Sequence, residues 1–195
     1  MATVLIPLAE GCEELEAVTI IDLLRRAQIE VVTAGLAPGL VKGSRGTRLL
    51  PDMNLDEAIK RDYEMIVLPG GQPGATNLEK DPRIITLLKK MSSENKYTAA
   101  ICAAPKVLAT AGILEGKRAT AYPGTLDVTA FPHVHVEELE VIADGKVITS
   151  RGPGTAMDFA LELIGLLAGG EKRNQVEAAL QRPSVHMQTV RASGV

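Results

Sequence analysis

Short apolar runs alternate with helix-forming segments along most of this 195-residue sequence, and that alternation constrains the fold more than any other feature. Runs typical of buried strands occupy residues 4–8, 29–34, 65–68 and 99–101. Segments with helical patterns occupy residues 13–27, 82–91, 105–111 and 155–168, and a charged helix starts at Glu171. Repeated strand–helix pairs need crossover connections, so they predict an α/β three-layer sandwich: a mostly parallel sheet with helices on both faces.

Three weaker patterns complete the predicted organisation. Residues 39–50 carry turn residues typical of an irregular hairpin, and a further strand is expected near residues 118–122. A second hairpin is expected from segments 136–142 and 146–149, which flank the turn Ala143-Asp144-Gly145. No linker or repeat interrupts the pattern, so we expect one domain over residues 1–195.

Composition excludes several classes of function. The net charge of -3 and the lack of a basic stripe argue against nucleic-acid binding, and only five aromatic residues are present to stack on bases. No apolar stretch is long enough to span a membrane. Two cysteines make no disulfide framework, and the first residues resemble a strand more than a signal peptide, so we expect a reducing cytoplasm.

The loops that follow three predicted strands are the expected location of a site, because sites in open α/β sheets lie at the carboxyl ends of strands. These loops are residues 9–14, residues 69–74 and the segment that begins at Cys102. All three carry unusual residues, which strengthens the expectation of one shared site.

Cys102 is the candidate nucleophile. It stands between a strand-like and a helix-like segment, and Ala100-x-Cys102-x-Ala104 resembles the small-residue pattern of a nucleophile elbow. A thiol at the start of a helix faces free N–H groups and the positive end of the dipole, both of which favour the thiolate. The alternative interpretation is a small cysteine buried in the core.

Two other segments offer Cys102 possible partners. Glu16 shares a helical face with Cys12 and Ile20, and we expect it to be protonated and hydrogen-bonded to the sulfur, or to act as its general acid and base. Gly70-Gly71 follows a strand, and its N–H groups suit an oxyanion hole or simply a tight turn. The glycine spacing fits neither a dinucleotide fingerprint nor a P-loop.

Three further candidates are more ambiguous. Arg151 either reaches an anionic substrate or forms a structural ion pair. His133 and His135 alternate as metal ligands can, but no third ligand stands nearby, so we predict no metal site. Cys12 is a second thiol ligand, a resolving thiol or a small loop residue.

At these positions the sequence resembles the ThiJ/PfpI superfamily, and within it the branch that holds the human Parkinson-disease protein deglycase and bacterial YajL. The resemblance covers most of the chain, from Leu5 to about Leu180. It is carried by the segments Leu8-Ala9-Glu10-Gly11-Cys12-Glu13-Glu14-Leu15-Glu16-Ala17-Val18, Val67-Leu68-Pro69-Gly70-Gly71, Ala99-Ala100-Ile101-Cys102-Ala103-Ala104-Pro105 and Thr149-Ser150-Arg151-Gly152-Pro153-Gly154-Thr155.

The resemblance implies a flavodoxin-like fold, a homodimer and chemistry without an added cofactor. It implies that Cys102 is the oxidisable nucleophile, that Glu16 is its hydrogen-bond partner and that the N–H groups of Gly71 and Ala103 hold an oxyanion. It places Arg26 and Arg45 near the dimer-side rim of the pocket. Family members are described as cofactor-independent glyoxalases, as deglycases of protein or nucleotide adducts, and as redox-responsive chaperones.

Two departures from the family pattern narrow the expected function. The peptidase branch has histidine directly after the nucleophile, whereas this chain has Ala103, so a protease is not expected. Tyr122 stands where many close members carry histidine, and a phenol with a pKa near 10 is a poor base, so turnover should be slower. We expect a small aldehyde or glycated substrate, with a redox-sensing chaperone as the alternative.

Overall fold

The fold is described from a computed structural model over residues 2–182. Its strands are β1 (Thr3–Leu8), β2 (Glu30–Gly35), β3 (Val41–Lys42), β4 (Arg48–Leu49), β5 (Met53–Asn54), β6 (Met65–Leu68), β7 (Tyr97–Ile101), β8 (Arg118–Ala119), β9 (His135–Val136), β10 (Val141–Asp144) and β11 (Val147–Ser150). Its α-helices are α1 (Glu14–Arg26), α2 (Leu55–Ala58), α3 (Gly74–Lys80), α4 (Pro82–Ser93), α5 (Pro105–Thr110), α6 (Ala156–Ala168) and α7 (Gly170–Ala179).

Seven strands form one sheet in the order β10-β11-β7-β6-β1-β2-β5. Every neighbouring pair is parallel except β10 and β11, which form an antiparallel hairpin at one edge. In the middle of the sheet Leu5 of β1 pairs with Ile66 of β6, and Leu68 of β6 pairs with Ala100 of β7. The prediction of a mostly parallel sheet is therefore confirmed.

Two apolar clusters cover the two faces of the sheet. Successive strand residues point to opposite faces, so Leu5 and Ile6 of β1 belong to different clusters. Ile6 packs in the cluster that contains Ile20 of α1 and Phe159 of α6. Leu5 packs in the cluster formed by α3, α4 and α5. Helices on both faces, as predicted, enclose the sheet and expose its strand ends.

Several predicted boundaries need correction. The glycines and proline of residues 69–74 indicated only a loop, but α3 begins at Gly74, and α2 was also missed. The second hairpin is shorter than predicted, because Val136 pairs in β9 with β8 instead of extending β10. The expected strand at 118–122 ends at Ala119, and a 3-10 turn at Pro153–Thr155 precedes α6. Residues 39–50 contain the expected hairpin, β3–β4.

Among residues 2–182, no helix combines the length and the apolar character that a membrane span needs. The single-domain prediction for residues 1–195 also includes Met1 and residues 183–195, which lie outside the described part of the chain.

Candidate active site

The loops after β1, β6 and β7 meet at the carboxyl ends of these strands, because the three strands are parallel neighbours in the middle of the sheet. The Glu13 N–H donates to the Gly70 carbonyl at 2.9 Å, and the Gly74 N–H donates to the Gly11 carbonyl at 3.2 Å. These bonds join the first loop, residues 9–14, to the second loop, residues 69–74. The structure thus brings Cys102 together with Glu16 and the Gly70-Gly71 pair, as the sequence analysis expected.

Cys102 lies at the turn between β7 and α5 with a φ of +63°. Left-handed backbone is uncommon for a residue other than glycine and is found often at functional sites. Hydrogen bonds fix the turn on both sides: the Cys102 N–H donates to the Ser150 carbonyl at 2.9 Å, and the Tyr122 N–H donates to the Cys102 carbonyl at 2.8 Å. The thiol is buried, and the backbone N–H groups of Gly71 and Ala103 act on it by lowering its pKa.

Glu16 projects from the first turns of α1 into the same site and is fully buried. Its Oε2 accepts the Gly70 N–H at 2.8 Å, while Oε1 has no hydrogen-bond partner among the described residues. Burial raises the pKa of the Glu16 carboxyl from 4.5 to about 7, although hydrogen bonds from Gly70 and Cys102 act in the opposite direction. Glu16 is therefore a carboxyl group that gains and loses its proton near neutral pH.

Gly70 allows the thiol and the carboxyl to share this small space. A Cβ atom at residue 70 would lie 2.7 Å from the Cys102 Cβ and 2.9 Å from the Glu16 Oε2. Gly71, with a φ of +87°, has backbone of the first loop equally close. A side chain at either position would therefore push Cys102, Glu16 and residues 9–14 apart.

The expectation of a thiolate needs correction. Burial raises the pKa of Cys102 to about 12, with a further increase from the negative charge of Glu16 and the hydrogen bond between the two groups. The N–H groups of Gly71 and Ala103 lower this pKa only in part. The pKa of the Cys102 thiol therefore lies above that of the Glu16 carboxyl.

Glu14 accepts hydrogen bonds from the β3–β4 loop, a structural role that the sequence did not predict. Its carboxylate accepts the Arg45 N–H at 3.0 Å and the Thr47 N–H at 3.1 Å, and the Ser44 hydroxyl donates to it at 3.2 Å. Burial would raise the Glu14 pKa, but these backbone donors prevail and lower it to about 2. Glu14 thus attaches the β3–β4 loop, which contains Arg45, to the start of α1.

Arg26 does not reach the Cys102 site of this chain. It ends α1 ten residues after Glu16, which corresponds to about 15 Å along the helix axis. Its Nε donates to Asp22 at 2.6 Å. Because α1 starts at the carboxyl ends of the strands and runs back toward their amino ends, its last turn lies away from the thiol.

Tyr122 and Arg151 belong to two segments that are joined to Cys102 by backbone hydrogen bonds. The Tyr122 side chain is half exposed, and its backbone is bonded to Cys102 as described above. Arg151 directly follows Ser150, the acceptor of the Cys102 N–H, and its Nη2 lies 3.7 Å from the Glu138 Oε2. Both residues line a cleft of about 180 Å³.

The remaining candidates do not form a metal site. Cys12 is fully buried, and its pKa is raised to about 11 by burial and then by the charge of Glu14, which favours the interpretation as a small loop residue. The His133 Nε2 lies 3.9 Å from Glu115 on the surface. Within residues 2–182 no group of three or more histidine, cysteine or acidic side chains is arranged to hold a metal ion.

A family model described as the DJ-1/PfpI family matches residues 2–166. The chain belongs to the DJ-1/PfpI family. It is 36% identical over 175 residues to "Glutathione-independent glyoxalase DJR-1.2" of Caenorhabditis elegans, covering 90% of this chain and 92% of that protein. The solved structure "Toxoplasma gondii DJ-1, oxidized" has a TM-score of 0.86 at 37% identity, covers 92% of this chain and 98% of that chain, and confirms the expected flavodoxin-like fold.

Another DJ-1/PfpI relative is longer. The chain is 45% identical over 179 residues to "Protein DJ-1 homolog B" of Arabidopsis thaliana, which covers 90% of this chain but 40% of that protein. The chain therefore spans less than half the length of the Arabidopsis relative.

Proposed function

We propose that this protein converts reactive dicarbonyls, such as methylglyoxal and glyoxal, or their early adducts, with Cys102 as nucleophile and Glu16 as acid and base. One observation carries the proposal: Cys102 and the fully buried Glu16 lie so close together that a Cβ at residue 70 would be 2.7 Å from the Cys102 Cβ and 2.9 Å from the Glu16 Oε2, and burial raises the pKa of that carboxyl to about 7. A general base with a pKa near the operating pH is the most effective one.

The reaction begins when the Cys102 sulfur attacks the aldehyde carbon and Glu16 takes the thiol proton. The N–H groups of Gly71 and Ala103 stabilise the oxyanion of the resulting hemithioacetal, which then receives that proton from Glu16. Glu16 next removes the hydrogen of the former aldehyde carbon as a proton and returns it to the neighbouring carbon, while the hydroxyl proton moves from the first oxygen to the neighbouring ketone oxygen, giving a thioester of a 2-hydroxy acid. Water hydrolyses the thioester to a 2-hydroxy acid and regenerates the thiol, so one water is consumed and no external oxidant is needed.

Two further considerations support this assignment. A relative that is 36% identical is named a glutathione-independent glyoxalase. Glu16 supplies the base that the phenol of Tyr122 would supply poorly, so the chemistry is possible without a histidine at residue 122. Hydrolysis of early protein or nucleotide adducts would use the same nucleophile and the same oxyanion donors.

The test is formation of D-lactate from methylglyoxal, and of glycolate from glyoxal, by the wild type and by Cys102→Ala and Glu16→Gln. Both variants should lose at least about a hundredfold in rate, since each removes a group required for nucleophilic attack or proton transfer. Cys12→Ala and the exposed Glu171→Gln are the matched controls and should retain activity. Undiminished turnover by either site variant would refute the mechanism.

A redox-sensing chaperone is the second candidate, and the oxidized state named for the Toxoplasma relative favours it. Two equivalents of peroxide would convert the Cys102 thiol to a sulfinic acid and release two waters. The Gly71 and Ala103 N–H groups and a proton on Glu16 would then stabilise the sulfinate. Peptide mass spectrometry after mild peroxide treatment should show two added oxygens on Cys102, whereas oxidation first at Cys12 would contradict this role.

We also propose that the protein is a homodimer. Leu15 and Val18 of α1 and Leu50 beside β4 are large apolar side chains that are 47–75% exposed, and contiguous apolar surface is typical of an interface. Light scattering should give twice the chain mass for the wild type and the monomer mass for Val18→Asp. A monomeric wild type at micromolar concentration would refute the proposal.

A further inference from the structure

A small cleft lies past the carboxyl end of β11, between Arg151 and the segment that begins at Ala121. Its volume is about 180 Å³, which suits a ligand of a few carbon atoms. The lining side chains and backbone include Tyr122, Pro123, Gly124, Val136, Glu138 and Arg151. The proton transfers proposed above use none of these residues.

The backbone joins this cleft directly to the nucleophile. Tyr122 donates its N–H to the Cys102 carbonyl, and the Cys102 N–H donates to the carbonyl of Ser150, the residue before Arg151. The backbone of Tyr122 and that of the residue before Arg151 are therefore each one hydrogen bond from Cys102.

Arg151 is the cation of this cleft that is most available to a ligand. Its side chain is 32% exposed and lies 3.7 Å from Glu138, whose side chain is 89% exposed, and ion pairs with so exposed a partner are weak. The neighbouring Glu137 instead accepts two hydrogen bonds from Arg118. A ligand carboxylate could replace the solvated Glu138, because a guanidinium binds a carboxylate through two parallel hydrogen bonds.

The aromatic wall of the cleft depends on a neighbouring glycine. A Cβ atom at Gly152 would lie 3.3 Å from the Tyr122 Cδ2, so the ring packs directly over residue 152. Tyr122 thus presents an apolar surface next to the charge of Arg151. This combination matches a short carbon chain that ends in a carboxylate.

We propose that the Tyr122–Arg151 cleft makes the protein selective for α-oxoaldehydes that carry a carboxylate. The inference rests on the proposed function, because Cys102 must bind the aldehyde end of the same molecule. Arg151 is a specificity-determining residue, and Glu138 competes with the substrate carboxylate for it.

The first test needs no turnover. Iodoacetate and iodoacetamide alkylate thiols with the same leaving group and differ in charge, so the ratio of their rates at Cys102, followed by peptide mass spectrometry, reports the local charge. Arg151→Gln should lower the iodoacetate-to-iodoacetamide ratio about three- to tenfold, and Glu138→Gln should raise it about twofold. Arg61→Gln is the charge-matched control, because Arg61 pairs with Glu30 far from the cleft. Equal ratios for Arg151→Gln and Arg61→Gln would overturn the inference.

The second test compares 4,5-dioxopentanoate with 2-oxopentanal, an uncharged α-oxoaldehyde of the same length. Arg151→Gln should lower the ratio of kcat/KM for the carboxylate substrate to kcat/KM for the neutral one about tenfold, mainly through a higher KM for the carboxylate substrate. Equal losses on both substrates would overturn the selectivity and leave the proposed function standing. If the wild type converts neither substrate, the proposed function fails, and the alkylation ratios still decide whether Arg151 acts on charge at Cys102.

Discussion

Replacement of Glu16 by glutamine should change how the free energy of unfolding depends on pH. Below about pH 4.5 this carboxyl holds its proton in both the folded and the unfolded chain. Between 4.5 and about 7 the unfolded chain releases the proton while the buried Glu16 retains it, so the folded state loses relative stability as pH rises. The pKa difference corresponds to about 3 kcal/mol, because each pH unit is worth about 1.4 kcal/mol.

Denaturant unfolding of the wild type and Glu16→Gln at pH 4.5 and pH 8 measures how much Glu16 ionisation contributes to the free energy of unfolding. The contributions of other titrating groups cancel when the two proteins are compared at the same pH. The difference in unfolding free energy between variant and wild type should move by about 3 kcal/mol in favour of glutamine on going from pH 4.5 to pH 8. The window ends below both the ordinary thiol pKa of 9.0 and the raised pKa of about 12 of the folded Cys102, so the thiol contributes little. A difference that is independent of pH would refute the raised pKa of Glu16.

Glu14 provides a control of opposite sign two residues away on the same helix. Its pKa is lowered to about 2, so its stabilising effect is complete above pH 4.5 and is lost as pH falls toward 2. Glu14→Gln should therefore destabilise the protein at pH 8, by about 1–3 kcal/mol for the loss of charge-assisted hydrogen bonds, and less at pH 3.

Two further predictions concern activity and the loop glycines. The kcat/KM for methylglyoxal should rise with pH through about 7 and then level off, because attack needs the Glu16 carboxylate as base; an activity that falls across this range would contradict that order of proton transfer. Gly71→Ala should abolish activity and lower the free energy of unfolding by about 2 kcal/mol or more, because residue 71 has a φ of +87° and no space for a Cβ. Gly154→Ala, at a position with nothing within 4 Å of the added atom, should be nearly neutral in both measurements, and equal effects of the two substitutions would show that packing at residue 71 is unimportant.

Periodicity was sufficient to predict the sheet and the location of the site. Continuous apolar runs gave β1, β6 and β7, and the rule that sites lie at carboxyl strand ends brought Gly70 and Cys102 together. Helical spacing then predicted that the Glu16 side chain points toward Gly70 and Cys102. These features are predictable because each depends on residues close in sequence or on the general geometry of parallel sheets.

Other features depend on contacts that a sequence pattern does not contain. The position of Cys102 at the start of a helix predicted a thiolate. Burial and the charge of Glu16 instead raise the pKa of the thiol, and both effects arise only in the folded protein. The contact of Glu14 with Arg45 and Thr47 joins backbone more than thirty residues away. Gly74 begins a helix because the structure around residues 69–74 overrides the turn preference of glycine and proline.

The contact between Glu14 and the β3–β4 loop also determines how fast that segment can move. Arg45 and Thr47 are exposed residues, yet a carboxylate with low proton affinity occupies both of their amide hydrogens. In deuterated water these two amides should exchange slowly, as core amides do, until Glu14 is protonated or replaced. We therefore expect the β3–β4 loop to open only when the Glu14 carboxylate releases these two amide donors.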